Sequence, residues 1–413
     1  MAMHVETLIV GAGQSGLAVS ALLSAAGREH AVIDRGDVGE RWRSERWDSL
    51  RLLTPNWLSR LPGWSYRGPA PEGHMTAHEV AAYLDEYAAS FHAPIVPQTA
   101  VLRFTRECGL FRVVSSRGDW IARNVEAATG AHVLPRVPAG IGTTGIPVVP
   151  STSYRRPSDL PAGDVLVVGA SSSGVQIADE LAGAGRRVVL AVGRHTRVPR
   201  NYRGMDLFWW LERLGKLART VDELPARAAA RPETSLQLVG SAGPPRAVDL
   251  LALQARGVQL TGRLLEFSDS RVRFDDGLRD AAAAADAAMH RLLDQIDAHV
   301  AAAGLEREVL PARRPPAVAP SIVPLRTAPH PQDFACVVLA SGLLPDWSWL
   351  GDPVPGAHGT IAQHRGATEV PGLYVVGQHF QHRRDSTYID GARHNARDVV
   401  GHLLAEAPPV VTS

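Results

Sequence analysis

The sequence predicts an α/β fold of two parallel-sheet units, the second inserted into the first. Two glycine-rich turns lie far apart in the chain, Gly11-Ala12-Gly13-Gln14-Ser15-Gly16 and Gly169-Ala170-Ser171-Ser172-Ser173-Gly174. Each follows a run suited to a buried parallel strand, Thr7-Leu8-Ile9-Val10 or Val165-Leu166-Val167-Val168, and precedes a helical pattern. The strand pattern resumes at Phe334, beyond a long helical and proline-rich excursion. Strand, glycine turn and helix in that order make a dinucleotide-binding, Rossmann-like unit. Two such units in one chain imply two electron-carrying cofactors.

In the first unit, Gly11 permits the tight turn, Gly13 lets the backbone approach a pyrophosphate, and Gly16 allows close packing of helix on strand. The helix N-terminus offers unpaired N–H groups to the phosphates. Asp34 ends the next strand, Ala31-Val32-Ile33, at the spacing of about 20 residues where an acid receives an adenosine ribose. An aromatic and proline-rich stretch with Trp42, Trp47, Trp57 and Trp64 follows over 42–71. A helix is expected over 77–91, where Val80, Leu84 and Tyr87 fall at helical spacing. Strands are expected over 100–105 and 110–115, with another ending in Val125-Glu126-Ala127-Ala128-Thr129-Gly130.

The second unit ends its next strand differently. Arg187-Val188-Val189-Leu190-Ala191-Val192 runs into Gly193-Arg194-His195-Thr196-Arg197, and a cationic cluster at the ribose position suits a 2′-phosphate, hence NADPH rather than NADH. The alternative for Arg194 and Arg197 is a solvated surface patch. An alanine-rich helix over 281–303 carries Met289, Leu292, Leu293, Ile296 and Val300 on one stripe, read as a packing face. The stretch 311–331 reads as a loop or linker. Strands over 335–342 and 373–377 then rejoin the first unit. The expected organisation is 1–155 for the first part of the first domain, 156–330 for the inserted domain, and 331–413 for the return.

Composition sets few obstacles. The 413 residues exceed one compact core, and a net charge of +1 gives no electrostatic case for nucleic acid or an anionic membrane as partner. Lys216 is the only lysine, which with the abundant alanine and arginine suggests a GC-rich bacterial genome. No apolar run is long enough to span a bilayer, and the start runs directly into the first strand without a signal peptide, so a cytoplasmic enzyme is expected. Cys108 and Cys336 lie far apart, which excludes a Cys-x-x-Cys redox pair and a cysteine metal cluster. No metal site is expected, and a homodimer is the commonest prior for assembly.

The order of these motifs resembles the flavin-containing monooxygenases, the class B flavoprotein monooxygenases that use FAD and NADPH. The likeness rests on both glycine turns, Ala128-Thr129-Gly130, and Ala340-Ser341-Gly342-Leu343-Leu344-Pro345-Asp346. The segments Gly39-Glu40-Arg41-Trp42, Trp47-Asp48-Ser49-Leu50-Arg51-Leu52-Leu53-Thr54-Pro55, Leu61-Pro62-Gly63 and Pro371-Gly372-Leu373-Tyr374-Val375-Val376-Gly377 resemble the bacterial branch, so the likeness covers nearly the whole chain. It implies an NADPH domain inserted into an FAD domain. It also implies an NADPH-dependent monooxygenase that forms a flavin C4a-(hydro)peroxide with dioxygen and oxygenates a small organic substrate, nitrogen or sulfur oxidation ahead of Baeyer–Villiger insertion.

Carried over by position, the resemblance implies that Gly11, Gly13, Gln14, Ser15 and Gly16 hold the FAD pyrophosphate and that Asp34 and Arg35 hold its adenosine. Arg41, Trp42 and Thr54 approach the isoalloxazine, with Met75 and Thr76 beside it. Val101, Ala128, Thr129, Gly130, Ser341, Gly342, Gly377 and Gln378 complete the cofactor contacts. Asp390, Gly391 and Ala392 begin a helix whose positive end faces the flavin pyrimidine oxygen. Gly169, Ser171, Ser172, Ser173, Gly174, Arg194, His195 and Arg197 belong to NADPH.

Two departures bear on chemistry. Of a Phe-x-Gly-x-x-x-His-x-x-x-Tyr-like fingerprint only Tyr154 survives, with Pro150 at the histidine position. Leu53 stands where some relatives carry a polar Asn or His before the threonine, so Asn56, Thr76 and Gln378 become the candidate catalytic donors. An NADPH-consuming flavin oxidase or reductase, and a flavoprotein whose nucleotide is regulatory, are the alternatives. The cluster His379, His382, Arg383, Arg384 and Asp385 either orients an acidic substrate or manages protons, or is a solvated loop.

Overall fold

The computed structural model describes residues 2–224, 233–243, 246–327, 329–351 and 359–405. In the first sheet the parallel strands run in the order Ile95–Val96, His30–Ile33, Met3–Val10, Gly118–Ala127, Leu373–Val375. The hairpin Gln363–His364 and Ala367–Thr368 extends one edge, and the antiparallel strands Val101–Glu107 and Leu110–Ser115 lead into Gly118–Ala127. Alternation along the first strand divides the core. Leu8 and Val10 face Phe111 and Val125, whereas Ile9 faces helices Gln14–Ala25 and Ile389–Ala405 through Leu17, Ala396 and Val399.

The second sheet repeats that order with Gln259–Thr261, Val188–Ala191, Asp164–Val168, Phe334–Leu339 and Val148–Pro150, all parallel. In each sheet the first strand lies between its sequence successor and a strand that arrives much later, which creates the switch point where doubly wound sheets bind ligands.

Two strands sit on the other side of the expected boundaries. Phe334–Leu339, expected in the returning part of the first unit, pairs with Asp164–Val168 in the second sheet. Val148–Pro150, expected before the insertion, pairs with Phe334–Leu339. The physical reason is occupancy. Gly118–Ala127 already fills the position beside Met3–Val10, while Cys336, Val337 and Val338 are fully buried and find apolar neighbours on both faces of the second sheet. The chain rejoins the first sheet at Gln363–His364.

The expected helices form as Ala77–Ser90 and Leu278–Ala302. On the second, Met289, Leu293, Ile296 and Val300 pack against Tyr202 and Trp210, with Leu292 half-buried beside them, so the stripe is a packing face. The same helix supplies Asp286, which meets Arg197 at 2.7 Å, while Asp249 takes the other side of that guanidinium at 2.9 Å. Arg197 also donates to the Pro316 carbonyl at 3.0 Å, and Asp286 accepts from the Val318 and Ala319 amides. Arg197, expected in the 2′-phosphate cluster, is therefore a buried structural cation, because its charge is compensated inside the second unit.

Arg197→Met should cost about 3–5 kcal/mol in urea unfolding, because it strands the buried Asp286 and the half-buried Asp249 without their cation. Unchanged stability would remove the buried ion pair from the account of how the second unit holds together.

Candidate functional site

The first crevice opens at the carboxyl ends of Met3–Val10 and Gly118–Ala127. The Gly11 amide donates to the Ile33 carbonyl at 2.8 Å and the Ala128 amide to the Val10 carbonyl at 2.9 Å, which draws the 128–130 turn over the glycine turn. Gly11 has φ +120°, and a side chain there would overlap the Ala128 carbonyl. A Cβ at Gly16 would overlap the Gly11 carbonyl, whereas one at Gly13 would meet open space. The closure glycines are thus packed and the approach glycine faces the crevice, the arrangement a pyrophosphate requires. Gln14 is half-exposed at the start of helix Gln14–Ala25 and Ser15 is buried.

Asp34 accepts from the Ala12 amide at 2.7 Å and the Gly36 amide at 2.9 Å, one carboxylate oxygen to each, leaving lone pairs for a ribose. Gly377, at φ +79°, brings its turn against the Ser15 hydroxyl, so the end of the returning strand meets the first glycine turn. Arg41 pairs with Glu45 at 2.6 Å, donates to the His132 carbonyl and lies beside Gly130. Arg35 is exposed and pairs with the same Glu45 at 2.7 Å. The Arg46 guanidinium lies 5.3 Å from the Trp42 ring centre, and burial next to Arg41 lowers it to about 10. Thr129 Oγ1 and His379 Nε2 are buried with no partner among the described residues. Val101 lies at the start of the meander, two residues past Thr99, whose amide donates to the Asp34 carbonyl at 2.6 Å.

The three candidate donors are drawn into structural roles. Segment 50–56 lies antiparallel to 73–77, with the Leu52 amide on the Met75 carbonyl and the Ala77 amide on the Leu50 carbonyl. Asn56 is buried within it, accepting from the Met75 amide at 2.7 Å and donating to the Ala70 carbonyl at 2.9 Å. Thr76 is the N-cap of helix Ala77–Ser90, in a reciprocal capping box with Glu79. Gln378 accepts from the Ile361 amide at 2.7 Å and donates to the carbonyl of the same residue at 3.2 Å. Each pairs with backbone of its own scaffold, whereas Thr54 is half-exposed.

Asp390 stands in the first turn of helix Ile389–Ala405 and is met by Arg60 at 2.5 Å and Arg393 at 2.9 Å. Burial alone would raise its carboxyl, but the two guanidinium groups outweigh this and hold it below the usual range. Gly391 is packed against the Asp385 carbonyl, and the Ala392 amide donates to the Tyr388 carbonyl.

The second crevice copies the first. The Gly169 amide donates to the Ala191 carbonyl at 3.0 Å, the Ala340 amide to the Val168 carbonyl at 2.9 Å, and a Cβ at Gly169 would overlap the Ala340 carbonyl. Gly174 lies against the Gly169 carbonyl as Gly16 lies against that of Gly11. Ser171 is the N-cap of helix Ser172–Gly183, Ser172 is buried and accepts from Gln176 at 3.0 Å, and Ser173 is half-exposed. Ser341 donates to the Arg136 carbonyl at 2.5 Å, and Gly342 has φ +103°. At the ribose end Arg194 is exposed, but His195 is buried with Nδ1 at 2.9 Å from the Gly193 carbonyl, and Arg197 is consumed as described. The sequence reading missed Arg263. It follows the neighbouring strand Gln259–Thr261, and its side chain lies beside Gly193. The signal was an arginine just past the end of the strand after the cationic turn.

The two crevices share an interface. Strands Leu134–Pro135 and Leu343–Leu344, just past the two Ala-x-Gly turns, form an antiparallel ribbon. Arg200, also missed, donates to the Leu53 carbonyl at 2.5 Å, contacts His74 Nε2, and pairs with Asp206 at 2.8 Å. Burial and this guanidinium push His74 down to about 4, so the ring is neutral and receives the guanidinium N–H. Leu53 and Trp57 pack with Phe208, Leu236 and Tyr388 in an apolar cluster between the units.

This fold and these crevices define a two-dinucleotide oxidoreductase whose cofactors are FAD and NADPH. A model of the pyridine nucleotide-disulphide oxidoreductase family matches residues 8–220, and the chain belongs to that family. A CzcO-like oxidoreductase of Geobacillus kaustophilus is 29% identical over 406 residues, 97% of this chain and 98% of the relative. A probable indole-3-pyruvate monooxygenase of Arabidopsis thaliana, YUCCA4, is 31% identical over 208 residues, 49% of this chain and 50% of that protein. The flavin-containing monooxygenase structure from Stenotrophomonas maltophilia shares the fold, with a TM-score of 0.66, 21% identity and coverage of 98% and 99%. Among the described residues no helix is long and apolar enough to cross a membrane.

Gly13→Asp should fold, because the new Cβ meets open space, yet purify without flavin, because its carboxylate occupies the phosphate approach. Thermal melting and the visible spectrum check both halves. A yellow, flavin-replete variant would exclude this crevice.

Proposed function

We propose that the chain is an NADPH-dependent FAD monooxygenase that uses dioxygen to oxygenate a small organic substrate, FAD occupying the first crevice and NADPH the second. The duplicated closure of Gly11 under Ala128 and Gly169 under Ala340 carries this reading, since it gives one chain two pyrophosphate approaches joined by a common ribbon. FAD supplies a hydride acceptor for NADPH and the centre that activates dioxygen. Asp34 holds its ribose, Gly13 and the helix N-terminus its pyrophosphate, and Gly377 with Ser15 closes the far end. At the second crevice Gly169, Ser171, Ser173 and Gly174 approach the NADPH pyrophosphate, with Arg194 and Arg263 for the 2′-phosphate. Monooxygenases among the relatives, matched over about half of their length and of this chain, support the oxygenating assignment. Disulfide reduction has no support, because Cys108 is exposed on a hairpin and Cys336 is buried in the second sheet.

Oxidation of nitrogen or sulfur is favoured over Baeyer–Villiger insertion. The guanidinium beside Leu53, that of Arg200, is buried and spends one N–H of each of its three nitrogens on Leu53, His74 and Asp206, so most of its donor capacity is already used. The capture of Asn56, Thr76 and Gln378 by backbone favours a second reading, an NADPH oxidase that releases peroxide. Oxygen uptake by NADPH-reduced enzyme, followed with and without a panel of amines and sulfides, separates the two. Oxygenated product with little peroxide supports the monooxygenase, and stoichiometric peroxide throughout overturns it.

Arg194→Ala and Arg263→Ala should each raise the Michaelis constant for NADPH by about tenfold while leaving that for NADH within about twofold, the loss of one charge-assisted contact. Steady-state kinetics with both nucleotides check this. Equal effects on both would exclude these arginines from a 2′-phosphate site.

A further inference from the structure

Segment 236–238 is tied to both turns of the second crevice. Thr196, in the turn that follows strand Val188–Ala191, bridges to Leu236, and its carbonyl accepts from the Gln237 amide at 2.9 Å. The Leu238 carbonyl receives Gln176 Nε2 from helix Ser172–Gly183 at 2.8 Å. Between these anchors the Gln237 side chain is buried, and its Nε2 donates at 2.7 Å to the carbonyl of Ala170, inside the glycine turn. Its Oε1 is buried with no partner among the described residues. A buried acceptor left unpaired is a standing cost, which a donor arriving with a ligand removes.

In the first crevice the equivalent carbonyl, that of Ala12, accepts from the Gly39 backbone amide at 3.1 Å, and the Ala12 amide is taken by Asp34, the acid assigned to the ribose of FAD. The second turn satisfies the same carbonyl with a side-chain amide, which brings a further acceptor to the crevice. No acid stands at the matching strand end, because Val188–Ala191 runs on through Gly193 to Arg194 where His30–Ile33 runs into Asp34. A carboxylate there would repel a 2′-phosphate, whereas a neutral amide oxygen is tolerated. The phosphates of NADPH offer this oxygen no hydrogen. The tie to Thr196 sets Gln237 on the adenosine side, and of the donors in that half of the nucleotide the ribose 3′-hydroxyl is next to the phosphates while the adenine amine is remote from them.

We infer that Gln237 is the ribose acceptor of the second crevice, its Oε1 receiving the 3′-hydroxyl of the adenosine ribose that carries the 2′-phosphate. The inference rests on the NADPH assignment of this crevice and adds a recognition residue to it.

Isothermal titration of the oxidised holoenzyme with adenosine 2′,5′-bisphosphate and with its 3′-deoxy analogue tests the contact without turnover. The wild-type chain is expected to bind the hydroxylated ligand about tenfold more tightly, a preference that Gln237→Met reduces to within about twofold. Loosening of the segment by methionine weakens both ligands alike and leaves the ratio unchanged, so the ratio separates recognition from packing. Gln237→Glu retains an oxygen acceptor and is expected to keep the hydroxyl preference while binding both bisphosphates more weakly, because its carboxylate meets the 2′-phosphate. Equal binding of the two ligands by the wild-type chain, or a preference that survives Gln237→Met, overturns the inference and leaves the NADPH assignment standing. Failure of the wild-type chain to bind either ligand overturns the NADPH assignment, and this inference with it.

Discussion

Everything else in the molecule depends on how closely a helix can approach the strand that precedes it. At Gly16 against the Gly11 carbonyl, and again at Gly174 against that of Gly169, there is no volume for a Cβ. The late-arriving strand closes over the same spot, Ala128 in one sheet and Ala340 in the other. This three-way contact places the helix N-terminus, its unpaired amides and the crevice at one point, the condition for holding a phosphate. A methyl group there would push helix and strand apart and remove the site without touching a ligand.

The same contact fixes how the two units are joined. Each late strand leaves its Ala-x-Gly turn and enters the common ribbon of Leu134–Pro135 and Leu343–Leu344. Three further ties cross between segments distant in sequence: Arg200 to the Leu53 carbonyl, Arg60 to both Asp390 and Glu212, and the apolar cluster around Phe208. Arg60 is half-buried, so these are not simple surface ion pairs, whose contribution is usually small. Together they hold the 50–56 segment against its 73–77 partner and set the wall that faces Tyr388.

Polar side chains in this region serve mainly to satisfy backbone. Asn56, Thr76 and Gln378 are the polar residues that a reading for chemistry selects, yet each pairs with amides or carbonyls of its own scaffold. A buried irregular loop must find such partners, and short polar side chains are the available means. The charged groups divide in the same way. Arg197 is spent inside the second unit, and in the returning segment Arg383 and Arg384 are taken by Asp385 and Glu233.

The sequence by itself determined the α/β class, both glycine turns, Asp34, the helices Ala77–Ser90 and Leu278–Ala302, and the absence of a paired cysteine motif. Those features are local, written in glycine spacing, β-branched runs and helical periodicity over a few residues. Tertiary structure alone decided that Phe334–Leu339 and Val148–Pro150 belong to the second sheet, because strand membership depends on which neighbour has an open edge. It likewise decided that Arg197 is structural while Arg263 stands beside Gly193, and that Arg384 meets Glu233 across 151 positions of chain. Ion pairs form between groups brought together by the fold, and no spacing along the chain encodes which cation will find a buried carboxylate and which will be left facing a cleft.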